Sequence, residues 1–247
     1  LILSARLKSR RVEARGFLAE VFYARIADAA AEDLARSAVD GYDHLAARLG
    51  APAVPGRLQI VVSPRDGWGY SRVPLSVIPE TYALKALSQP DGRFQLLHGN
   101  LHEVGHFWWQ LADSETSDDW INESLAEFSA LHACERLFGA GPVAGVLQAY
   151  EQDVRGITSP TAILATRRTD PNGYVLFYEK GALLWDRLRR KLGDDVLFDV
   201  LRHLHAAHRG TRSLTTAVLV ETFAKETAGG TDAFFAEWLR GTTLPGS

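Results

Sequence analysis

Residues 95–111 read QLLHGNLHEVGHFWWQL, with histidines at 98, 102 and 106, each four residues from the next. Four residues is about one helical turn, so on a helix the three imidazoles form a column on one face. Within the column lies HEVGH, the pattern His102, Glu103, two residues, His106. Two imidazoles at i and i+4 can reach a single zinc ion at ~2.0–2.1 Å. Glu103 is rotated about 100° from the first of them, out of the ligand position but within reach of a water beside the metal, where a general base belongs. His98 and His102 form a second i, i+4 pair. No glutamate accompanies that pair in register, and His98 reads as a cap or a cleft-lining residue.

Five residues are a short pattern, and the chemistry needs a third ligand and an oxyanion donor. The next segment, residues 118–138, is DDWINESLAEFSALHACERLF. Its apolar positions suit a helix packed on the first. Glu123, in its first turn, can complete a His-His-Glu tripod and leave the fourth zinc position open. Asn122 beside it, and Glu127 one turn further on, are placed as outer partners, Glu127 to accept the free ring N–H of a ligand histidine. Residues 172–188, NGYVLFYEKGALLWDRL, put Tyr178 near the start of a long apolar helix, where a phenol can donate to an oxyanion. Lys180 reads as half of a structural ion pair. HLHAAH at 203–208 spaces its histidines by two and three, which scatters them around a helix, and it reads as surface near a helix end. Trp108 and Trp109 read as core and groove wall.

The surrounding chain gives this site an α+β setting. LILSARL (1–7) and GFLAEVFYA (16–24) alternate as two strands, residues 29–50 follow as a helix, and RLQIVVS (57–63) is a short buried strand. YSRVPLSVIPE (70–80) is extended, and its prolines favour a sheet edge. Helices then follow at 93–112, 120–138, 142–154, 174–192, 194–208, 214–227 and 231–240. A small sheet followed by a helical half is an α+β order.

With 247 residues and 46% hydrophobic composition the chain can bury a sizeable core. A net charge of -3 without a basic run argues against a nucleic-acid partner. No apolar run approaches the ~20 residues of a membrane helix. The single cysteine, Cys134, excludes an internal disulfide and a multi-cysteine zinc site, and leaves the compartment open between cytoplasm and an extracytoplasmic position. The absence of an initiator methionine, and of a signal-peptide pattern, suggests a soluble part of a longer polypeptide.

The three segments HEVGHFWW, WINESLAEF and YEKGALL, in that order, resemble the gluzincin aminopeptidases, the family of membrane alanyl aminopeptidase and leukotriene hydrolase. The closing FFAEWLRGTTLP is similar to the ends of glycyl aminopeptidase-like relatives. The resemblance covers roughly residues 30–240. It implies a thermolysin-like catalytic domain over 26–247, with 1–25 as a remnant of a preceding β domain. It also implies one zinc ion held by His102, His106 and Glu123, Glu103 as base, Tyr178 as transition-state donor, and a peptide or protein substrate. Two departures stand out. The gap between His106 and Glu123 is shorter than the family's. The edge-strand glutamate that binds a substrate's free amine is also missing: GWGYSRVPLSVIP (67–79) offers Ser71 or Arg72 there, with Val73 beside them as cleft wall. Glu80 is the nearest carboxylate able to replace it. The expected function is therefore a zinc metallopeptidase that favours blocked or internal bonds, its substrate pairing with an edge strand at Val73–Ile78. The alternatives are a zinc-containing binding or sensor domain, and a hydrolase of a non-peptide substrate.

Overall fold

The computed structural model describes residues 7–52, 56–66 and 69–245. The strand expected at 1–7 lies almost wholly outside them. A five-stranded sheet, order β1-β2-β3-β5-β4, is formed by β1 (Lys8–Ala14), β2 (Phe17–Tyr23), β3 (Arg57–Ser63), β4 (Tyr70–Arg72) and β5 (Leu75–Pro79). β1–β2 and β4–β5 are antiparallel, whereas β2–β3 and β3–β5 are parallel. β2 shows why its sequence makes a half-buried strand: Phe17, Ala19, Val21 and Tyr23 are buried and the residues between them are not. Because β2 runs beside β3, the first hairpin belongs to the same sheet as the rest. One correction concerns β1 itself, which spans Lys8–Ala14, beyond the strand expected at 1–7.

A second correction concerns the edge. Val73–Ile78 was expected to be the edge strand, but Leu75–Pro79 lies between β3 and β4. The edge is β4, three residues long, and Val73 sits in the turn that joins the two.

The helices are α1 (Asp28–Leu49), α2 (Glu80–Leu87), α3 (Gly92–Gly105), α4 (Asp119–Phe138), α5 (Ala140–Arg155), α6 (Gly181–Leu192), α7 (Asp194–His208), α8 (Thr216–Glu226) and α9 (Asp232–Arg240). α3 was expected to run to 112. It stops at Gly105, and Phe107 and Trp108 close tighter turns by donating to the carbonyls of Val104 and Gly105, at 3.1 and 3.0 Å. The helix expected from 174 begins as a π-helical stretch, Val175–Lys180, before α6.

α4 is the axle of the helical half. Every residue from Asp119 to Cys134 is buried, so this helix is surrounded rather than amphipathic. Two glycines set how closely its neighbours approach. A Cβ on Gly105 would meet the Ala126 backbone at 2.9 Å, and one on Gly181 would meet Ser124 Cβ at 2.3 Å. Alanine at Gly181 would force the α4–α6 contact apart, an overpacking cost of about 1–3 kcal/mol. These two contacts draw α3 and α6 onto the α4 segment that carries Glu123 and Glu127. No described helix is long and apolar enough to cross a membrane.

Candidate metal centre

His102 in the last turn of α3 and His106, the residue that caps it, share one face, and the close α3–α4 contact sets Glu123 opposite them. Ligand atoms of the three residues lie within 4.8 Å of one another, a set able to hold a metal ion. Nε2 of His102 and Nε2 of His106 are each 3.4 Å from Glu123 Oε2. That distance is long for a hydrogen bond. Glu123 Oε2 has no hydrogen-bond partner although it is buried. Three donor atoms thus face one point without satisfying each other, and two imidazoles with a carboxylate are a zinc donor set.

The other ring nitrogens explain the aim. His102 Nδ1 lies 2.8 Å from Glu127 Oε2, and His106 Nδ1 lies 3.1 Å from the Trp109 carbonyl. When each Nδ1–H donates outward, the tautomer is fixed and the Nε2 lone pair points inward. Glu127 is itself held. Tyr150 donates its hydroxyl to Oε1, and His98 Nε2 lies 2.7 Å from the same oxygen. His98 therefore joins the network as a partner of Glu127, outside the ligand set. The Trp109 carbonyl owes its place to the turn after α3, which Asn122 pins. The Asn122 side-chain oxygen accepts from the backbone N–H of Leu111 and Ala112, at 2.9 and 3.0 Å, and its amide donates to the Ala112 carbonyl. Asn122, expected as an outer partner beside Glu123, bears on the ligands through this loop.

Electrostatics follow the same geometry. Burial lowers the pKa of His102, but the carboxylates of Glu123, Glu127 and Glu103 outweigh it and the net shift is strongly upward. His106 is also raised, with burial again opposing and Glu123 prevailing. Burial raises Glu123 and Glu127, and their histidine partners pull both well down. Without metal the cluster holds its protons on the imidazoles, so metal binding must release them. Glu103 directs a buried oxygen, Oε2, that has no hydrogen-bond partner.

Tyr178 lies in the π-helical stretch, a local widening that recurs at functional sites. Its ring stacks on His102, with centroids 5.3 Å apart at 17°. Burial, then Glu123, pushes its pKa far up, so it stays a donor. Arg168, like Tyr150, is a residue that sequence reasoning missed. Its guanidinium bonds Glu123 Oε1, the oxygen turned away from the histidines, and its Nε lies 3.2 Å from Asp119 Oδ2. It sits in an irregular segment between α5 and Tyr178, with no periodicity to mark it.

Other expectations fall differently. Ser71 Oγ donates to the Leu75 carbonyl inside the β4–β5 turn, and Arg72 is exposed. Val73 lines an open pocket of about 200 Å³ together with His106. Glu80 cannot replace the missing amine anchor, because its buried carboxylate accepts from the Arg25 N–H at 2.9 Å and from the Arg25 guanidinium at 2.6 Å. Lys180 makes no structural ion pair among the described residues. It is buried and donates to the Gly241 carbonyl at 2.6 Å, and burial lowers its pKa to about 8. His205, expected at the surface, is buried edge-on against Trp109, and burial drops its pKa to about 4.

No family model and no curated protein sequence matches the chain. Solved structures do. An M1 zinc metallopeptidase from Deinococcus radiodurans superposes with a TM-score of 0.71 at 19% identity, over 97% of this chain and 52% of that one. A substituted form of the Deinococcus radiodurans enzyme bound to a Tyr-Ser-Ala substrate gives 0.72 at 20%, over 97% and 53%. A two-domain M1 zinc metallopeptidase bound to L-arginine gives 0.71 at 20%, over 97% and 53%. The chain thus has the α+β fold of M1 metallopeptidase domains and spans about half the length of these chains.

Proposed function

We propose that this chain is a zinc-dependent metallopeptidase with one zinc ion held by His102 Nε2, His106 Nε2 and Glu123 Oε2. The observation that carries the reading is the convergence of these three atoms while each histidine's second nitrogen is tied elsewhere. When bound, zinc supplies a Lewis acid that polarises a carbonyl and acidifies water. The chain's own residues supply the rest. Glu103 takes a proton from the attacking water and returns it to the leaving amine, a task suited to a carboxylate oxygen left unpartnered. Tyr178 donates to the oxygen that becomes negative as the carbonyl is attacked. Glu127 holds His102 in register, and Arg168 holds the outer oxygen of Glu123. The outer edge of β4, with Ser71 and Arg72, can add an extended substrate as a further strand. With no carboxylate at the amine position and Glu80 committed to Arg25, a free α-amino group gains no charge-assisted bond there, worth roughly 1.5–3 kcal/mol. Blocked or internal peptide bonds are the favoured substrates.

The test is metal analysis together with cleavage profiling of a mixed peptide library, with and without a chelator. The expected result is about one zinc per chain, lost in Glu123→Ala, and cleavage that stops on chelation. Zinc retained in full by Glu123→Ala would remove the tripod, and a library left intact by the zinc-loaded protein would remove the activity.

A further inference from the structure

We infer that the pocket beside His106 is an anion subsite that takes a carboxylate of the substrate, through Arg209 and Arg212. The inference rests on the metallopeptidase reading for its place in catalysis, but the binding it describes can be measured without turnover.

The pocket shares His106 with the metal centre and Val73 with the turn that ends the edge strand β4. Its other polar walls are Gln110, His205, Thr211 and the two arginines, and His205 stays neutral because burial lowers its pKa to about 4. No aspartate or glutamate lines it. Neither arginine has an acidic partner among the described residues, whereas Arg25, Arg93, Arg168 and Arg189 are all paired. Two guanidiniums left unneutralised in one concave site, in a chain of net charge -3, make a local positive field. A carboxylate answers it, since guanidinium binds carboxylate in a planar, two-bonded geometry. An ammonium group would be repelled.

The frame that presents these arginines is bonded to the turn that follows the metal helix. Arg209 N–H donates to the His205 carbonyl at 2.8 Å, ending α7. Thr211 donates twice to the His208 carbonyl, from its backbone at 3.0 Å and its hydroxyl at 2.7 Å. Leu214 N–H then donates to the Leu111 carbonyl at 2.9 Å, in the turn that holds His106 through Trp109. The arginine loop and His106 thus hang from one small piece of backbone, so little ordering is needed on binding. The pocket thus sets positive charge beside the metal centre, in a chain whose edge strand lacks the expected amine-binding glutamate.

The carboxylate has two sources, an acidic side chain or the substrate's own carboxyl terminus. The experiment separates them with blocked peptides of one sequence, scanned with glutamate or glutamine at each position and ending in either an amide or a free acid. Binding is measured by calorimetry to the zinc-loaded Glu103→Gln protein, and cleavage with the wild type. The expected result is that a glutamate at one position, or the free acid, tightens binding about tenfold or more over its neutral counterpart. Arg209→Ala/Arg212→Ala removes that difference with zinc content unchanged, and Arg209→Lys/Arg212→Lys keeps part of it. Equal affinity for charged and neutral peptides, no measurable binding of either, or a preference that survives in the double alanine variant would each overturn the subsite. A preference for the acid without chelator-sensitive cleavage in the wild type upholds the subsite and strikes the peptidase reading. Chelator-sensitive cleavage without any acid preference does the reverse.

Discussion

A buried cluster of two histidines and a carboxylate at the metal centre and a more open one, with Asp194 42% exposed at its rim, come out opposite. In the first, His102 and His106 aim Nε2 at Glu123. In the second, His44 on α1 and His132 on α4 stack, with centroids 5.0 Å apart, and bond each other, Nε2 to Nδ1, at 2.8 Å. Asp194, at the start of α7, lies 3.3 Å from the other nitrogen of His132. The residue types are nearly the same and the chemistry differs. What separates the clusters is where the outer ring nitrogens go. Glu127 and the Trp109 carbonyl take the Nδ1 hydrogens of the first pair and leave two lone pairs free. In the second pair an N–H of one imidazole meets the lone pair of the other, and the nitrogens do not converge with a carboxylate on one point.

The largest way to test that distinction is to remove what only the first cluster possesses, a carboxylate beside it with a free oxygen. Glu103→Gln keeps the shape and all three ligands but cannot accept a proton. We expect zinc content to be unchanged and peptide cleavage to fall by about 10²–10⁴. Cleavage near the wild-type rate would take the general base out of the mechanism.

If outer partners decide which cluster binds metal, weakening one should loosen the ion without touching a ligand. Glu127→Gln leaves a neutral amide against His102 Nδ1, where a carboxylate held that imidazole's tautomer. The expected loss of zinc affinity is about 10–100-fold, read by competition with a chelator. An unchanged affinity would mean that packing alone aims His102, and that the two clusters differ for another reason.

Arg168 sharpens the comparison at smaller scale. It bonds the oxygen of Glu123 that faces away from the histidines and approaches Asp119, whose pKa burial, then Glu123, raises to about 6. The guanidinium is 42% exposed, so water screens much of its charge. Arg168→Ala is expected to lower zinc affinity by less than about tenfold. A loss larger than that of Glu127→Gln would make Arg168 the dominant outer partner and reverse the ranking of the two.

How far the sequence could be read differs along the same lines. The spacing of His102 and His106 is local, one turn of one helix, and periodicity reports such things well. β3 and α7 were legible from their apolar runs and breaks, matching 57–63 and 194–208. Glu123 was legible because its helix follows within a short loop. What escaped depends on contacts between distant segments. Arg168 carries no pattern in a loop. His44 and His132 are 88 residues apart. His205 was assigned to the surface because histidine spacing scatters on a helix, but Trp109 packs over it. α2 was missed because it follows β5 without a loop: Pro79 ends the strand and caps the helix in the same extended conformation, so Glu80 read as the end of the extended run. The edge was misplaced by a few residues because strand order within a sheet is not written in any single strand.

The smallest effect separates the clusters by sign. Burial, then His132, Arg136 and Arg48, lowers His44 from the usual 6.5 to about 4, and His132 is lowered as well. A histidine with a depressed pKa in the folded state is neutral there while the unfolded chain still takes up a proton. Its contribution to stability is fully present above the unfolded value and is lost as pH falls from 6.5 toward 4. The metal-free ligand histidines are raised, so their contribution is present below the unfolded value and is lost as pH rises through their folded one. In chelated protein the two clusters therefore pull in opposite directions, and the second can be isolated by difference. His44→Gln keeps a hydrogen-bonding group beside His132 but does not titrate. Between about pH 7 and pH 5 the urea midpoint of the variant should fall less than that of the wild type. Part of the slope should survive, because His205 is lowered to about 4 in the same direction. Identical slopes in the two proteins would show that the His44–His132 pair titrates normally, and that burial and mutual bonding do not hold it neutral.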